Sequence, residues 1–178
     1  LGGLHAATRT RGMGLALQLN GYSSDGYIRV HPRQRGAVDV PLDLDYTRIA
    51  GTAEFDLMEA GRLTLRGSLF EEDRGNGTPL SRNATESGRL HAKWEWEDGS
   101  GSSWRTDAWY WDTEYQSTFS SVFGDRSSEV LVLDQYAVPS EAFGASLVRS
   151  ARLGNSGRLV LGSDLRWIEG ATNERVIF

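Results

Sequence analysis

Apolar and polar residues alternate in seven long runs along this chain, and no other feature constrains the fold as much. In the first run Met13, Leu15, Leu17 and Leu19 alternate with Gly14, Ala16, Gln18 and Asn20. The second sets Ile49, Gly51, Ala53, Phe55 and Leu57 against Arg48, Ala50, Thr52, Glu54 and Asp56. The third sets Leu63, Leu65, Gly67 and Leu69 against Thr64, Arg66 and Ser68, and the fourth Leu90, Ala92, Trp94 and Trp96 against His91, Lys93 and Glu95. Trp104, Thr106, Ala108 and Tyr110 make the fifth; Phe143, Ala145 and Leu147 make the sixth, interrupted by Arg149; Leu159, Leu161, Leu165 and Trp167 make the last. Side chains of a strand point alternately to its two faces, so period two predicts strands with one apolar side.

The connections predict how these strands are joined. Met58 to Gly61, Glu97 to Ser102 and Gly154 to Gly157 are short and carry Gly, whereas Ser24 to Asp43, Glu71 to Ser87 and Gln116 to Ser140 are long and polar. Short and long connections take turns. Antiparallel barrels of the bacterial outer membrane have short periplasmic turns and long extracellular loops. The runs, at about ten to thirteen residues, exceed ordinary soluble strands and match the roughly nine to eleven that a tilted membrane strand needs. The expected fold is therefore all-β: an antiparallel transmembrane β-barrel segment of about seven long strands. Trp94, Trp96 and Trp104 gather by one short turn, where an interfacial aromatic girdle belongs.

Pairing the strands sharpens the two faces. With Trp96 opposite Trp104, Glu95 faces Arg105 and Lys93 faces Asp107. With Leu57 opposite Leu63, Phe55 meets Leu65 and Glu54 faces Arg66. Apolar pairs collect on one face and opposite charges, favourable cross-strand neighbours, on the other.

Composition excludes several alternatives. A net charge of −5 argues against nucleic acid as a partner. The absence of Cys removes disulfides and thiolate metal sites. No stretch approaches the roughly 18 apolar residues of a membrane helix, and Leu1 to His5 lack the basic start and apolar run of a signal peptide. The chain shows no HExxH, GxSxG or Walker A pattern, so neither enzymatic activity nor a cofactor is expected. His5, His31 and His91 lack metal-ligand spacing. Asp43 and Asp45, near Asp39, read as a solvated loop rather than a cation site. Asn76-Gly77-Thr78 and Asn83-Ala84-Thr85 match glycosylation acceptors but read as polar loop residues in a bacterial protein.

Candidate functional residues follow from the faces. Arg48, Glu54, Arg66, His91, Lys93, Glu95, Arg105, Asp107, Asp164 and Arg166 are expected to line a lumen, as a charge-paired wall or along a substrate path. Tyr27, Phe119, Phe123 and Tyr136 are expected in loops at the outer mouth, where they would contact a ligand.

The segment Gly21-Tyr22-Ser23-Ser24-Asp25-Gly26-Tyr27-Ile28 resembles the start of an outer loop in TonB-dependent outer-membrane receptors. Gly61 to Gly67 and Gly157 to Leu165 look like strands of that family leaving periplasmic turns. The resemblance implies a 22-stranded barrel in the bacterial outer membrane, with a plug domain and a TonB box. Its partners would be outer-membrane lipid, TonB reached through an N-terminal region, and a small-molecule nutrient such as a ferric siderophore, haem or cobalamin. On that basis residues 1–178 would be a partial barrel domain covering early-to-middle strands, with plug and C-terminal strands outside it.

Seven strands cannot close, because single-chain bacterial barrels have an even number and lipid does not tolerate a sheet edge. Arg175 to Phe178 is accordingly expected to lie inside or just after a loop. The alternative is a small complete eight-stranded barrel with a structural or adhesion role, its extra strand hidden in residues 1–12 or 120–136. Strand length and loop segregation argue against a soluble ligand-binding barrel, and the lack of any catalytic set argues against a barrel enzyme.

Overall fold

A computed structural model of the chain describes residues 1–58, 61–154 and 157–177. It is one antiparallel sheet. The strands are β1 (Gly2–Thr10), β2 (Met13–Ser24), β3 (Leu44–Met58), β4 (Gly61–Thr78), β5 (Ser81–Glu97), β6 (Ser103–Val122), β7 (Glu129–Leu153), β8 (Gly157–Gly170) and β9 (Asn173–Val176). Each of β1 to β8 pairs with its sequence neighbour, and β9 pairs with β7. The described residues include no α-helix, only a 3-10 turn at Pro32–Gln34. β1 and β8 are not paired with each other.

The sheet has more strands than the seven the alternation predicts. β1 escapes that reading because Gly2, Gly3, Ala6 and Ala7 give too little contrast between its faces. The end of the chain also departs from expectation. Asn173–Val176 is strand rather than loop, and it continues the line of β8 along β7 after a break opposite Pro139. Pro139 has no N–H to donate there, so the ladder lapses, and the Ala171 N–H bonds to the Pro139 carbonyl at 3.0 Å. Thr172 and Glu174 are polar, and this stretch lies beyond the apolar zone of the sheet.

Two expected long loops are mostly strand as well. Within Glu71 to Ser87, β4 and β5 run on to a connection of only Pro79 and Leu80; within Gln116 to Ser140, β6 and β7 leave only residues 123–128 between them. Phe119 and Tyr136 therefore sit in β6 and β7, not in a loop, whereas Tyr27 and Phe123 are in connections as expected. On β4 and β5 these extensions are polar on both faces, and β7 carries the unbroken apolar run Val130-Leu131-Val132-Leu133, so period two is absent from their sequence although the backbone is extended. The two ends of the sheet do differ, but mainly because the strands reach further at one end. Among the described residues only 25–43 form a long loop. At the other end, the expected turns at Met58 to Gly61 and Gly154 to Gly157 include Glu59, Ala60, Asn155 and Ser156, which lie outside the described residues.

The β5–β6 register is the expected one, with Trp96 opposite Trp104, Glu95 opposite Arg105 and Lys93 opposite Asp107. The β3–β4 register is displaced by two residues: Phe55 faces Leu63, Ala53 faces Leu65, Glu54 faces Thr64 and Thr52 faces Arg66. An irregularity between Asp56 and Met58 shifts the pairing by one residue beside the turn. A shift of two keeps every side chain on its own face, so the sorting of apolar from charged residues survives.

That sorting organises the whole sheet. One cross-strand row on the apolar face runs Thr8, Leu15, Ala53, Leu65, Ala92, Ala108, Ala145, Leu165. Its neighbour runs Ala6, Leu17, Gly51, Gly67, Leu90, Tyr110, Phe143, Trp167. Towards the extended end this face turns acidic. Glu71, Glu86 and Glu114 are successive cross-strand neighbours, as are Asp112, Glu141 and Glu169. Among the described residues no second layer covers the apolar face. Val38 and Ala142 are the buried apolar residues of the described chain, while Leu69 is 64% exposed and Leu90 62%. Water does not sustain a single sheet with such a face uncovered.

Candidate functional site

The polar face gathers all ten charged residues predicted to share it. Arg48 and Glu54 stand on β3, Arg66 on β4, His91, Lys93 and Glu95 on β5, Arg105 and Asp107 on β6, and Asp164 and Arg166 on β8. The registers place them on one side. One row reads Thr52, Arg66, His91, Trp109, Gly144, Arg166; the next reads Glu54, Thr64, Lys93, Asp107, Ser146, Asp164. This is the more crowded face: along β7, Ala142 and Gly144 are buried and alternate with exposed Phe143, Ala145 and Leu147.

The ion pairs differ from those that simple opposition suggests. Lys93 Nζ meets Glu95, two residues along its own strand, at 2.7 Å, and Arg105 Nε likewise meets Asp107 at 2.9 Å. His91 Nε2 reaches Asp107 diagonally across the strands at 3.1 Å. Diagonal partners are within reach of long side chains. Asp107 thus holds both His91 and Arg105. Glu54 is bound from two strands away by Arg9, at 3.4 Å. Gly14 lies between them and has no side chain to block the contact.

A second glycine opens a similar passage. A Cβ on Gly144 would lie 2.6 Å from the indole of Trp109, so that ring lies directly over the β7 backbone. Beyond it stands the Arg166 guanidinium, 5.6 Å from the ring centroid. Two positions along β6, Trp111 takes the guanidinium of Arg89 at 5.8 Å. Trp109, Trp111 and Arg89 also belong to this face: the alternation puts Trp109 there beside Arg105 and Asp107, but it carries no charge to mark it, and Arg89 and Trp111 lie just outside the alternating runs. The wall offers guanidinium and indole surfaces beside paired carboxylates, a chemistry suited to polar and anionic solutes.

At the extended end a clasp joins distant connections. Asp39, from the β2–β3 loop, accepts hydrogen bonds from Arg126 Nε at 3.0 and 2.9 Å and from Arg126 Nη2. The Gly36 N–H adds a further bond at 2.8 Å. The Arg126 bonds first, then the Gly36 N–H, hold the Asp39 carboxyl at about 2, below its ordinary 3.8. The Val38 N–H bonds to the Arg126 carbonyl at 3.2 Å, and the Val40 N–H to the Gly77 carbonyl at 3.1 Å. Asp43 and Asp73 share Arg82, whose pKa is raised by its bonds to Asp73 and then Asp43. Asp39 and Asp43 thus face arginines, and Asp45 lies in β3 opposite Asp73. The described residues hold no group of three acidic or His side chains arranged for a metal.

Among the described residues the predicted aromatics form no ring pair with one another. Tyr27 is 67% exposed in the β2–β3 loop and Phe123 54% in the β6–β7 connection. Phe119 is exposed on β6, and Tyr136 carries the Arg175 guanidinium 4.4 Å from its ring centroid. Compared with known proteins, the chain matches no family model, no curated protein and no solved structure.

Proposed function

We propose that this sheet is part of the wall of a bacterial outer-membrane β-barrel, and that the barrel belongs to a TonB-dependent receptor for active uptake of a scarce nutrient such as a ferric siderophore, haem or cobalamin. The observation that carries the membrane reading is the uncovered apolar face on a sheet without a core. Lipid is the solvent in which such a face is stable. The apolar zone spans about nine residues, from Gly61 to Leu69 on β4 and from Gly88 to Trp96 on β5, which is the length a tilted membrane strand needs. The ten charged residues then line the lumen, and the short-turn end is periplasmic.

The receptor reading adds the resemblance carried by Gly21 to Ile28 and the reach of the strands. β7 has 25 residues and β6 has 20, far more than a crossing requires. These extensions would raise a wall well above the outer leaflet, with the Asp39–Arg126 clasp along its rim and Tyr27 and Phe123 exposed beside a ligand. TonB and the nutrient would be its partners. An eight-stranded structural or adhesion barrel has the eight-strand path in its favour, but it requires β1 to pair with β8.

Single cysteines test the membrane reading cleanly because the chain has none. In intact cells Leu65→Cys should resist a water-soluble maleimide until detergent is added, and Phe123→Cys should react at once. Immediate labelling at Leu65 would refute the lipid-facing assignment. Disulfide formation between cysteines on β1 and β8 would favour the eight-stranded barrel. For the transport reading, a strain lacking the gene should lose growth on one defined iron or cobalamin source and regain it on complementation. Unimpaired growth on all of them would reject nutrient uptake of these classes.

A further inference from the structure

Below the acidic rows, the apolar face carries a single charged side chain among the described residues: Arg149 on β7. It stands in the row Trp96, Trp104, Arg149, Leu161, next to the β5–β6 turn. Its guanidinium lies 4.9 Å from the centroid of the Trp104 ring. Trp104 in turn stacks on Trp96 at 5.7 Å, and Trp96 on Trp94 at 4.3 Å. The Trp104 N–H points towards the turn, where it donates to Asp98 at 3.1 Å.

Three indoles in a stack with one N–H aimed at the polar turn mark the boundary between apolar and aqueous zones. A guanidinium at that boundary needs an anion. No carboxylate forms an ion pair with Arg149 among the described residues. Its hydrogen bond runs to the Ser102 hydroxyl, at 3.5 Å. The planar fork keeps further donors for a bidentate oxyanion, and Trp104 fixes its plane. Leu147, Ala151 and Leu161 surround it with surface that suits an acyl chain.

We infer that Arg149, framed by Trp104 and Trp96, binds the phosphate of an anionic phospholipid in the leaflet on the short-turn side. The inference rests on the membrane reading above, and its test separates the two. The intact protein is reconstituted in phosphatidylcholine vesicles, and tryptophan fluorescence is quenched with brominated phosphatidylglycerol or brominated phosphatidylcholine. The wild type should favour phosphatidylglycerol roughly fivefold, the preference of one basic residue at an anionic surface. Arg149→Gln should bring the ratio close to one, and Arg149→Lys should retain part of it. Equal quenching of the wild type by both lipids overturns the site while leaving the protein in the membrane. An undiminished ratio in Arg149→Gln overturns it too. Loss of the wild-type preference in millimolar inorganic phosphate would assign the site to a soluble anion and reject the lipid. Quenching by neither lipid would show that the face does not meet lipid, and both readings would fall.

Discussion

Asp39 and Arg126 meet in a two-pronged ion pair although 87 residues separate them. The pair fastens the one long loop to the β6–β7 connection across the hairpin between. Its pH response follows from the direction of the shift. A carboxyl held at about 2 in the folded chain and 3.8 in the unfolded one favours folding fully above the higher value. That contribution fades as pH falls from 3.8 through about 2. Amide exchange in residues 25–43, corrected for its intrinsic pH dependence, should therefore stay constant down to about pH 4 and lose protection below it. Asp39→Asn should show the weaker protection already at neutral pH. Equal protection in the variant and the wild type would mean that the loop is held elsewhere.

The loop also tests the clasp without touching its charges. A Cβ on Gly36 would fall 2.1 Å from the Arg126 carbonyl oxygen, a backbone atom that cannot turn aside. Gly36→Ala should expose the loop to limited proteolysis severalfold faster while leaving the melting of the sheet unchanged. A matching drop in melting temperature would place Gly36 in the cooperative fold rather than in a local fastening.

Gly144 makes the corresponding prediction for the polar face. Gly144→Ala must displace the Trp109 indole and with it the contact to Arg166. Overpacking of this kind costs about 1–3 kcal/mol. Urea unfolding should report that loss together with a changed tryptophan emission, and Trp109→Leu should relieve most of it in the double variant. Additive effects of the two substitutions would show that the close approach is not the cause.

What could be read beforehand depended on whether a residue's two sides face different surroundings. The Trp96–Trp104 register was legible because both strands alternate up to a tight Gly-bearing turn. The β3–β4 register differs from the expected one by two residues, a slip that leaves the alternation of both strands unchanged and so has no periodic trace. Arg74 and Asn83 pair in a ladder, yet both sides of those strands are polar, so the hairpin there looked like a loop. Of the candidate residues, the ten charged ones followed from strand parity alone. Trp109 shares their parity but has no charge to single it out, and Trp111 lies beyond the end of its alternating run. The partnership of Asp39 with Arg126 depends on tertiary folding and has no local spacing to reveal it.

The acidic rows yield a stabilising substitution. Glu86 sits directly between Glu71 and Glu114, and like charges at opposed positions repel. Glu86→Gln removes both repulsions and keeps the shape. It should raise stability by about 0.2–1 kcal/mol per pair at low ionic strength, with the gain shrinking as salt is added. A destabilised variant would mean that Glu86 has a favourable partner outside the pairs described.

The sharpest contrast concerns neighbours that point opposite ways. Leu65 lies at the middle of the apolar zone, and Ser68, three residues on, lies on the polar face beside Ala50 and Arg89. An arginine on a lipid-facing strand costs about 2–4 kcal/mol at the bilayer midplane, whereas a water-facing wall accepts it. Leu65→Arg should therefore cut the fraction of protein that resists unfolding in cold detergent gels, and Ser68→Arg should lower it much less despite an identical change in charge, because its only cost is repulsion from Arg89 opposite, about 0.2–1 kcal/mol. In a protein whose apolar face is covered by another protein layer instead of lipid, Leu65→Arg would also destabilise. Changing the vesicle lipid separates the cases: thinner bilayers move the midplane relative to the strand, so the cost at Leu65 should vary with acyl-chain length only if lipid is what covers it.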